Sequence, residues 1–247
     1  MSERKQAGWV ENLRTIVYAV LVAIGVRTFL YEPFNIPSGS MLTTLLIGDY
    51  LFVSKFSYGF SRYSLPLGLP LIPGRILAHA PERGDVVVFK QPADNKTDYI
   101  KRIIGLPGDQ IQVTGGRLYI NGQMVPRQKV GEVEFRDGFG RPTRAIQYRE
   151  TLPNGRSYQI LEDSDDGPLD NTPVYQVPPN HFFAMGDNRD NSADSRVLRQ
   201  VGYIPFENLV GRAEFLFFST DGSAALWEPW KWPWAIRWER IFRPVGP

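Results

Sequence analysis

The sequence contains no cysteine and only two histidines, His79 and His181. Without cysteine the chain forms no disulfide bond, no thiolate metal site and no cysteine nucleophile. Two histidines far apart in the chain argue against a zinc site built on imidazoles, and a Ser-His-Asp triad would have to use one of them. We therefore expect no metal site, and we expect no cofactor.

The sequence also lacks a large excess of positive or negative residues. It has 28 Lys and Arg and 26 Asp and Glu, which gives a net charge of +2. The basic residues are scattered, so the sequence predicts no nucleic-acid partner. A hydrophobic content of 43% with 22% charged residues suits a packed core. The 23 Gly and 20 Pro favour many short strands and turns over a helix bundle, so we expect a mostly β protein.

Long apolar runs are scarce, and the one uninterrupted stretch is residues 15–26, between Arg14 and Arg27. This is shorter than the roughly 20 residues that cross a bilayer as a helix. Apolar residues resume at 29–31, so residues 9–31 are long enough if both arginines extend toward the headgroups, with Trp9 and Tyr31 at the interfaces. We favour one uncleaved transmembrane helix over residues 9–31.

Two other interpretations of this segment stay open. A cleavable signal peptide has a similar charge and length pattern, but no Ala-x-Ala site follows the apolar stretch. A helix buried in a core is the second. Arg4, Lys5 and Arg14 precede the apolar stretch 15–26, whereas only Arg27 closely follows it. This asymmetry predicts a cytoplasmic tail at residues 1–8 and an extracytoplasmic domain at 32–247.

Beyond the anchor, several short segments have the composition of strands. Apolar, β-branched or aromatic residues dominate 50–53, 86–89 and 99–104, each next to Gly-Asp or Gly-x-Pro turn signals. Residues 117–120 meet Asn121-Gly122, the strongest two-residue signal for a β-hairpin. These segments predict the main β domain.

From residue 128 to 175 the composition becomes polar, Gly-rich and acidic, which we interpret as a smaller β subdomain inserted into the main one. Asp163-Ser164-Asp165-Asp166-Gly167 resembles the start of a calcium loop. The twelfth position of that loop, however, is Val174, where a bidentate Glu is needed. We therefore reject a calcium loop here.

Five of the six tryptophans lie in the last part of the chain, residues 227–247. Each buried indole N–H needs a partner, so alternating Trp, Pro and Lys suit a core poorly. Contact with the membrane interface is one interpretation, and a packed cap on the β domain is the other. Residues 234–242 alternate apolar and basic residues at roughly helical spacing.

A hydrolase without cysteine needs Ser, Thr or a carboxylate as its nucleophile. Ser38-Gly39-Ser40 follows Pro37, which stiffens a turn that can hold a hydroxyl outward. An ordinary Ser/Gly turn explains the same residues. The local sequence leaves both interpretations open.

Lys101 lies in the apolar segment 99–104. A lysine in such a strand usually points to solvent. If it points inward, burial disfavours its ammonium form and lowers its pKa, so the neutral amine can accept a serine proton without a histidine.

A third segment, residues 186–196, is dominated by Asp, Asn, Arg and Ser. Turn-forming residues alone explain a loop. Their density next to the apolar segment 182–185 also favours a network of Asp–Arg pairs that braces a site.

Together these segments resemble the boxes of the bacterial type I signal peptidases, the membrane-anchored leader peptidases. The match covers the core from about residue 32 to residue 212, without the loops and the insertion. The matching segments follow the family's order: residues 37–41 (PSGSM), 45–49 (LLIGD), 83–89 (RGDVVVF), 99–109 (YIKRIIGLPGD) and 186–192 (GDNRDNS).

The resemblance implies that Ser40 is the nucleophile and Lys101 the general base. It implies that the Ser38 hydroxyl joins the Ser40 N–H in the oxyanion hole, and that Ser192 orients the lysine. Four residues of the segment 186–196 match family positions that brace this loop: Asp187, Arg189, Asp194 and Arg196. Positions that line pockets for small substrate side chains match Phe34, Ile36 and Ile100.

The resemblance further implies a signal-peptidase-type β catalytic domain on the extracytoplasmic side of the cytoplasmic membrane, resting on the bilayer through an apolar surface. Its substrates are preproteins, cut after small residues to release their signal peptides. This sequence has Thr43 where the family usually has proline, and His181 matches no fixed position. Two alternatives are a self-cleaving Ser/Lys repressor-like protein and a non-enzymatic membrane-anchored β protein.

Overall fold

The computed structural model describes residues 2–136, 142–225 and 227–246. Met1 of the predicted tail, residues 137–141 of the predicted insertion and Pro247 lie outside the described residues. The described helices are α1 (Ser2–Phe29) and the short α2 (Trp232–Ala235). The described strands are β1 (Tyr31–Asn35), β2 (Asp49–Ser54), β3 (Phe60–Ser61), β4 (Arg75–Ile76), β5 (Val86–Lys90), β6 (Asp98–Gly105), β7 (Gln110–Thr114), β8 (Arg117–Ile120), β9 (Gln123–Met124), β10 (Arg127–Arg136), β11 (Pro142–Thr151), β12 (Ser157–Glu162), β13 (Tyr175–Gln176), β14 (His181–Met185), β15 (Ile204–Pro205) and β16 (Leu209–Ser219).

Helix α1 contains a segment, Trp9–Phe29, that is long and apolar enough to cross a membrane, and the rest of the chain does not bury it. The helix ends at Phe29, two residues before the end of the predicted anchor, because Tyr31 is already paired in β1 with Ser54 of β2. The predicted interfacial Tyr31 instead packs its ring against Phe52 and Phe56.

A seven-stranded sheet in the order β1-β2-β16-β5-β6-β14-β15 forms the main layer. The strands predicted at 50–53, 86–89 and 99–104 are confirmed as β2, β5 and β6. Strand β6 lies between β5 and β14 and pairs antiparallel with both of them. From Lys101 to Gly105 every residue of β6 is buried, so both faces of this strand are covered.

A second sheet, β13-β7-β8-β9, carries the predicted hairpin. Ile120 of β8 pairs with Gln123 of β9 across Asn121-Gly122. The φ angles of Asn121 and Gly122 are 54° and 76°. Two consecutive positive φ values match the turn that this dipeptide favours, so the hairpin is confirmed.

Within the predicted insertion, β10, β11 and β12 form a three-stranded antiparallel sheet. Tyr158 and Ile160 of β12 belong to the same buried cluster as Ile111 and Leu118 of the second sheet. The last residue of the predicted insertion, Tyr175, does not belong to this three-stranded sheet. It pairs with Ile111 and so belongs to the second sheet.

The C-terminal segment is not one helix over residues 234–242. Helix α2 stops at Ala235, and Ile236 is extended and forms a β-bridge with Thr220. The N–H of Arg237 donates to Ser219 O at 3.0 Å, so pairing with the end of β16 replaces helical hydrogen bonds. All five tryptophans of this segment are exposed, with Trp227 and Trp234 about four-fifths exposed at 79% and 82%.

Candidate active site

Ser40 lies in a turn between β1 and β2. The turn is fixed to the core by its neighbours Met41 and Leu45, which are fully buried, and the Leu45 N–H donates to Met41 O at 2.9 Å. Ser40 itself is 9% exposed. The hydroxyl is therefore held in one place at the edge of the core.

Lys101 points inward from β6 and meets this serine. Its Nζ donates to Ser40 Oγ at 2.6 Å and to Ile100 O at 2.9 Å, and the residue is 3% exposed. Burial lowers the pKa of Lys101 to about 8, against the opposing influence of Asp194 and Asp187, which raise it. The structure brings together the two predicted catalytic residues, 61 positions apart in the sequence.

The two other predicted serines also lie beside Ser40. Ser38 Oγ is 3.5 Å from Ser40 Oγ. Ser192 is buried, and its Oγ has no hydrogen-bond partner within the part of the chain that the structure describes. A Cβ on Gly186 would lie 2.2 Å from Ser192 Oγ and 2.5 Å from Ser40 O, so only glycine permits this close approach.

The loop 186–196 is joined directly to the serine turn. The Asn188 N–H donates to Ser40 O at 3.1 Å, and Asn188 Nδ2 donates to Gly39 O at the same distance. Our sequence analysis gave Asn188 no role. Asparagine is common in turns, and nothing local shows that its partners lie about 150 residues earlier.

Asp187 is held by a bidentate pair with Arg102, at 2.8 and 2.7 Å. The Thr44 hydroxyl donates to the same carboxylate, and Arg102 Nη1 donates to Gly84 O at 2.8 Å. Arg102 and Asp187 are each 1% exposed. Arg102 follows Lys101 in the strand and so points to the opposite face, where it braces the loop.

Arg189 and Arg196 complete the bracing. Arg189 pairs with Glu150 of β11 at 3.0 and 2.5 Å, and Arg196 pairs with Asp194 at 2.9 Å. Burial raises the pKa of Asp194, but Arg196 and the N–H of Gly186 outweigh it, so the pKa is lowered and the carboxylate stays charged. The role of Glu150 could not be predicted from the local sequence, because its partner Arg189 is 39 residues away.

A cavity of about 840 Å³ opens beside the Ser40–Lys101 pair. The predicted side chains Phe34, Ile36 and Ile100 all line it. So do residues that the sequence analysis left unassigned, among them Leu42, Ile47, Val88, Tyr99 and Phe135. The cavity is mainly apolar, which suits uncharged substrate side chains.

Thr43, which departs from the family pattern, and His181, which matches no fixed position, have ordinary contacts. Thr43 Oγ1 donates to Gln159 Oε1 at 3.3 Å, which links the serine turn to β12. His181 Nδ1 lies 2.9 Å from Pro179 O. His79 and His181 are not among the residues that line the cavity.

Comparison with known proteins places this geometry in a family. The model of the family described as "Signal peptidase, peptidase S26" matches residues 9–218. The chain belongs to this family. Signal peptidase I of Rickettsia typhi is 43% identical over 218 residues, covering 85% of this chain and 80% of that protein. Signal peptidase I of Rickettsia canadensis is 42% identical over 251 residues, covering 94% and 92%.

A solved structure, the crystal structure of a signal peptidase I from Enterococcus faecalis, is 21% identical with a TM-score of 0.31. It covers 54% of this chain and 97% of that one. The family match and the curated relatives confirm the expectation from the sequence that the chain is a peptidase of the signal peptidase family. Helix α1 is long and apolar enough to anchor this signal peptidase in a membrane.

Proposed function

We propose that this signal peptidase removes N-terminal signal peptides from exported preproteins through an acyl-enzyme on Ser40, with Lys101 as general base. The observation that carries the proposal is the buried Lys101 Nζ at 2.6 Å from Ser40 Oγ. A general base must lie within hydrogen-bond reach of the proton that it removes, and this one does.

In the first step, neutral Lys101 accepts the Ser40 proton while Ser40 Oγ forms a bond to the scissile carbonyl carbon. The carbonyl π electrons move to oxygen and give a tetrahedral oxyanion. When the intermediate collapses, the C–N bond breaks and protonated Lys101 delivers its proton to the leaving amine. The mature protein leaves, and the signal peptide remains as an ester on Ser40.

The oxyanion is stabilised by the Ser40 N–H and the Ser38 hydroxyl, whose Oγ lies 3.5 Å from Ser40 Oγ. One such donor typically contributes about 3 kcal/mol to the transition state. In the second step, neutral Lys101 takes a proton from water as the water oxygen bonds to the ester carbonyl carbon. The bond from that carbon to Ser40 Oγ then breaks, protonated Lys101 returns the proton to Ser40, and the signal peptide leaves with a new carboxyl group. Ser192 serves as a positioning residue for the lysine.

The apolar cavity binds the residues that precede the cut. Phe34, Ile36 and Ile100 line it, and their apolar side chains suit small side chains at the last and third-last positions of the signal peptide. The catalytic domain lies on the extracytoplasmic side, because Arg4, Lys5 and Arg14 precede the apolar stretch 15–26 of α1, whereas only Arg27 closely follows it. Preprotein and bilayer are thus the partners of this enzyme.

The test is cleavage of a purified preprotein in detergent micelles, with the new N-terminus identified by sequencing. Wild type is expected to cut after a small-x-small site. Ser40→Ala and Lys101→Ala are each expected to lose at least about a thousandfold in kcat/KM, because the nucleophile and its base act as a unit. His181→Ala is the matched control, since its ring is hydrogen-bonded to the nearby Pro179 O and is not among the residues that line the cavity, and it retains wild-type activity.

Near-wild-type turnover by Lys101→Ala would show that the base is another group. Loss of activity in His181→Ala alone would point to a histidine mechanism instead. If wild type cuts no preprotein but cleaves its own chain, the self-cleaving alternative replaces the proposed one. If it cuts neither, the non-enzymatic alternative stands.

A further inference from the structure

A cluster of three acids lies outside the catalytic cavity, where the end of β12 meets the loop 186–196. Glu162 ends β12, Asp170 lies in the segment that follows, and Asp190 belongs to the single-turn 3-10 helix Arg189–Asn191. One carboxylate oxygen from each lies within 4.8 Å of the other two. Glu162 and Asp170 are 2% and 0% exposed. Three separate segments therefore bring carboxylates to one buried point.

Each of these carboxylates has one buried oxygen without a hydrogen-bond partner among the residues that the structure describes: Glu162 Oε2, Asp170 Oδ1 and Asp190 Oδ1. The second oxygens are engaged. Asp170 Oδ2 accepts from the Gly167 N–H at 2.6 Å, and Asp190 Oδ2 accepts from the Asp163 N–H at 2.7 Å. Buried acceptors in native proteins normally have a partner, so three free oxygens on the acids of one cluster point to a positively charged ligand.

No side chain among the described residues donates a hydrogen bond to these free oxygens, although the charges of Arg189 and Arg196 act on Glu162 and Asp170 through space. Arg127 Nη1 is 3.7 Å from Glu162 Oε1, on the engaged side of that carboxylate. The arginines around the cluster form closer ion pairs with other acids: Arg127 with Asp165, Arg189 with Glu150, and Arg196 with Asp194. The free oxygens of the cluster therefore have no hydrogen-bonded cation among the described residues, an arrangement that burial makes costly.

Gly167 lies beside the same point. A Cβ at this position would come within 2.7 Å of Asp190 Oδ1 and 3.1 Å of Asp170 Oδ2. A side chain there would push the carboxylates apart, so glycine keeps them together. The backbone of this segment is thus shaped around the cluster.

We propose that Glu162, Asp170 and Asp190 bind one Ca²⁺ ion. Oxygen ligands lie about 2.3–2.6 Å from Ca²⁺, so two oxygens on one ion are at most roughly 5 Å apart, which the 4.8 Å limit satisfies. The cluster has no imidazole or thiolate, which favours a hard cation. Mg²⁺ is usually held by one or two carboxylates and several waters, so three carboxylates favour Ca²⁺.

This proposal differs from the calcium loop that the sequence analysis rejected, and it departs from the expectation of no metal. That loop would have drawn its ligands from residues 163–174 and lacked one at Val174. Here only Asp170 comes from that segment. Glu162 precedes it, and Asp190 comes from the catalytic loop, two positions before Ser192. The ion joins the inserted sheet to the loop that positions Ser192.

The test is calorimetric titration of CaCl₂ into the full-length protein in detergent, after EDTA treatment and dialysis. We expect one saturable site per chain with a Kd of about 1 mM or tighter, the range of extracellular calcium modules. Asp170→Asn and Asp190→Asn each weaken binding at least tenfold. Asp166→Asn is the matched control, since this exposed acid of the same segment is not in the cluster, and its affinity stays within twofold of wild type.

Thermal unfolding gives a second measurement. Ca²⁺ raises the Tm of wild type and of Asp166→Asn, but not of Asp170→Asn, because a ligand that binds only the folded state stabilises it. Glu162→Gln, which keeps the side-chain size, replaces any aspartate variant whose circular dichroism shows that it does not fold.

Absence of saturable Ca²⁺ binding to wild type overturns the proposal. Equal Ca²⁺ affinity in wild type, Asp170→Asn and Asp190→Asn overturns it as well, since the ion is then bound elsewhere. A parallel titration with MgCl₂ tests the choice of ion. Tighter binding of Mg²⁺ than of Ca²⁺ at the same residues contradicts it.

Discussion

Lys101 is the residue at which burial changes chemistry most. A lysine on an exposed strand is a solvated cation, whereas Lys101 is 3% exposed and its pKa is lowered to about 8 by burial. Asp194 and Asp187 act in the opposite direction, which keeps the decrease moderate. The amine therefore titrates close to neutral pH, where a base is most useful.

This pKa predicts the pH dependence of the enzyme. The value in the folded protein lies below the ordinary 10.5, so the neutral, active base is present above about pH 8 and is lost as the pH falls. We expect kcat/KM for a signal-peptide substrate to fall about tenfold per pH unit below 8, because kcat/KM reports the free enzyme. The measurement is kcat/KM from pH 6 to pH 10.

The control for this profile is His181→Ala, which should show the same inflection. A histidine base would instead give an inflection near its ordinary pKa of about 6.5. A wild-type profile that stays flat from pH 9 down to pH 6 would contradict a lysine base.

At the scale of elements, the loop 186–196 is held by two buried ion pairs to strands and one within itself. Arg102 of β6 binds Asp187, Glu150 of β11 binds Arg189, and the third pair is Asp194–Arg196. The loop thus connects the main sheet with the three-stranded sheet. A loop of turn-forming residues becomes a fixed wall of the site because neighbouring elements supply its counterions.

Arg102→Met tests this bracing. The substitution leaves the Asp187 carboxylate, which is 1% exposed, without its partner, and an unpaired buried charge costs about 3–5 kcal/mol of unfolding free energy. The measurement is urea unfolding in detergent, together with kcat/KM. We expect a large loss of both stability and activity.

The matched control is Arg144→Met on β11. Arg144 also forms an ion pair, with Glu134 at 2.7 Å, but both side chains are mostly exposed, at 80% and 67%. Exposed pairs contribute little to stability. Equal unfolding curves for the two variants would show that Asp187 does not depend on Arg102.

At the scale of the whole molecule, α1 is a tether rather than a part of the core. Its apolar segment Trp9–Phe29 is not buried by the rest of the chain, whereas the sheets bury their own apolar faces. Contact with the β domain is concentrated at the helix end, where the Phe29 ring lies 5.8 Å from that of Phe60. The catalytic domain therefore does not need the helix to fold.

Deletion of residues 2–28, which keeps Phe29, should separate tethering from catalysis. We expect kcat/KM on a short soluble peptide to stay within about threefold of the full-length enzyme. Processing of a preprotein inserted in lipid vesicles should fall roughly tenfold or more, because anchoring raises the effective concentration of enzyme and substrate on one surface. An equal loss on both substrates would contradict the tether and place α1 in the site itself.

Local patterns predicted much of this molecule. Strand composition located β2, β5 and β6, Asn121-Gly122 located a hairpin turn, and apolar length located the spanning segment of α1. Ordered boxes indicated Ser40 and Lys101 as a pair. The roughly helical spacing of residues 234–242 does not produce one helix, because hydrogen bonds to β16 replace helical ones.

The sequence by itself indicated three strands of the main sheet, one hairpin turn, a segment long and apolar enough to span a membrane, and the residue types for acyl transfer. Only the tertiary structure decided that Lys101 points inward, that Glu150 neutralises Arg189, and that Glu162, Asp170 and Asp190 converge. The reason is physical. Strand alternation and turn chemistry act between close neighbours in the chain, whereas burial and ion pairing join residues 39 to 85 positions apart. Those partners exist only once the sheets have packed.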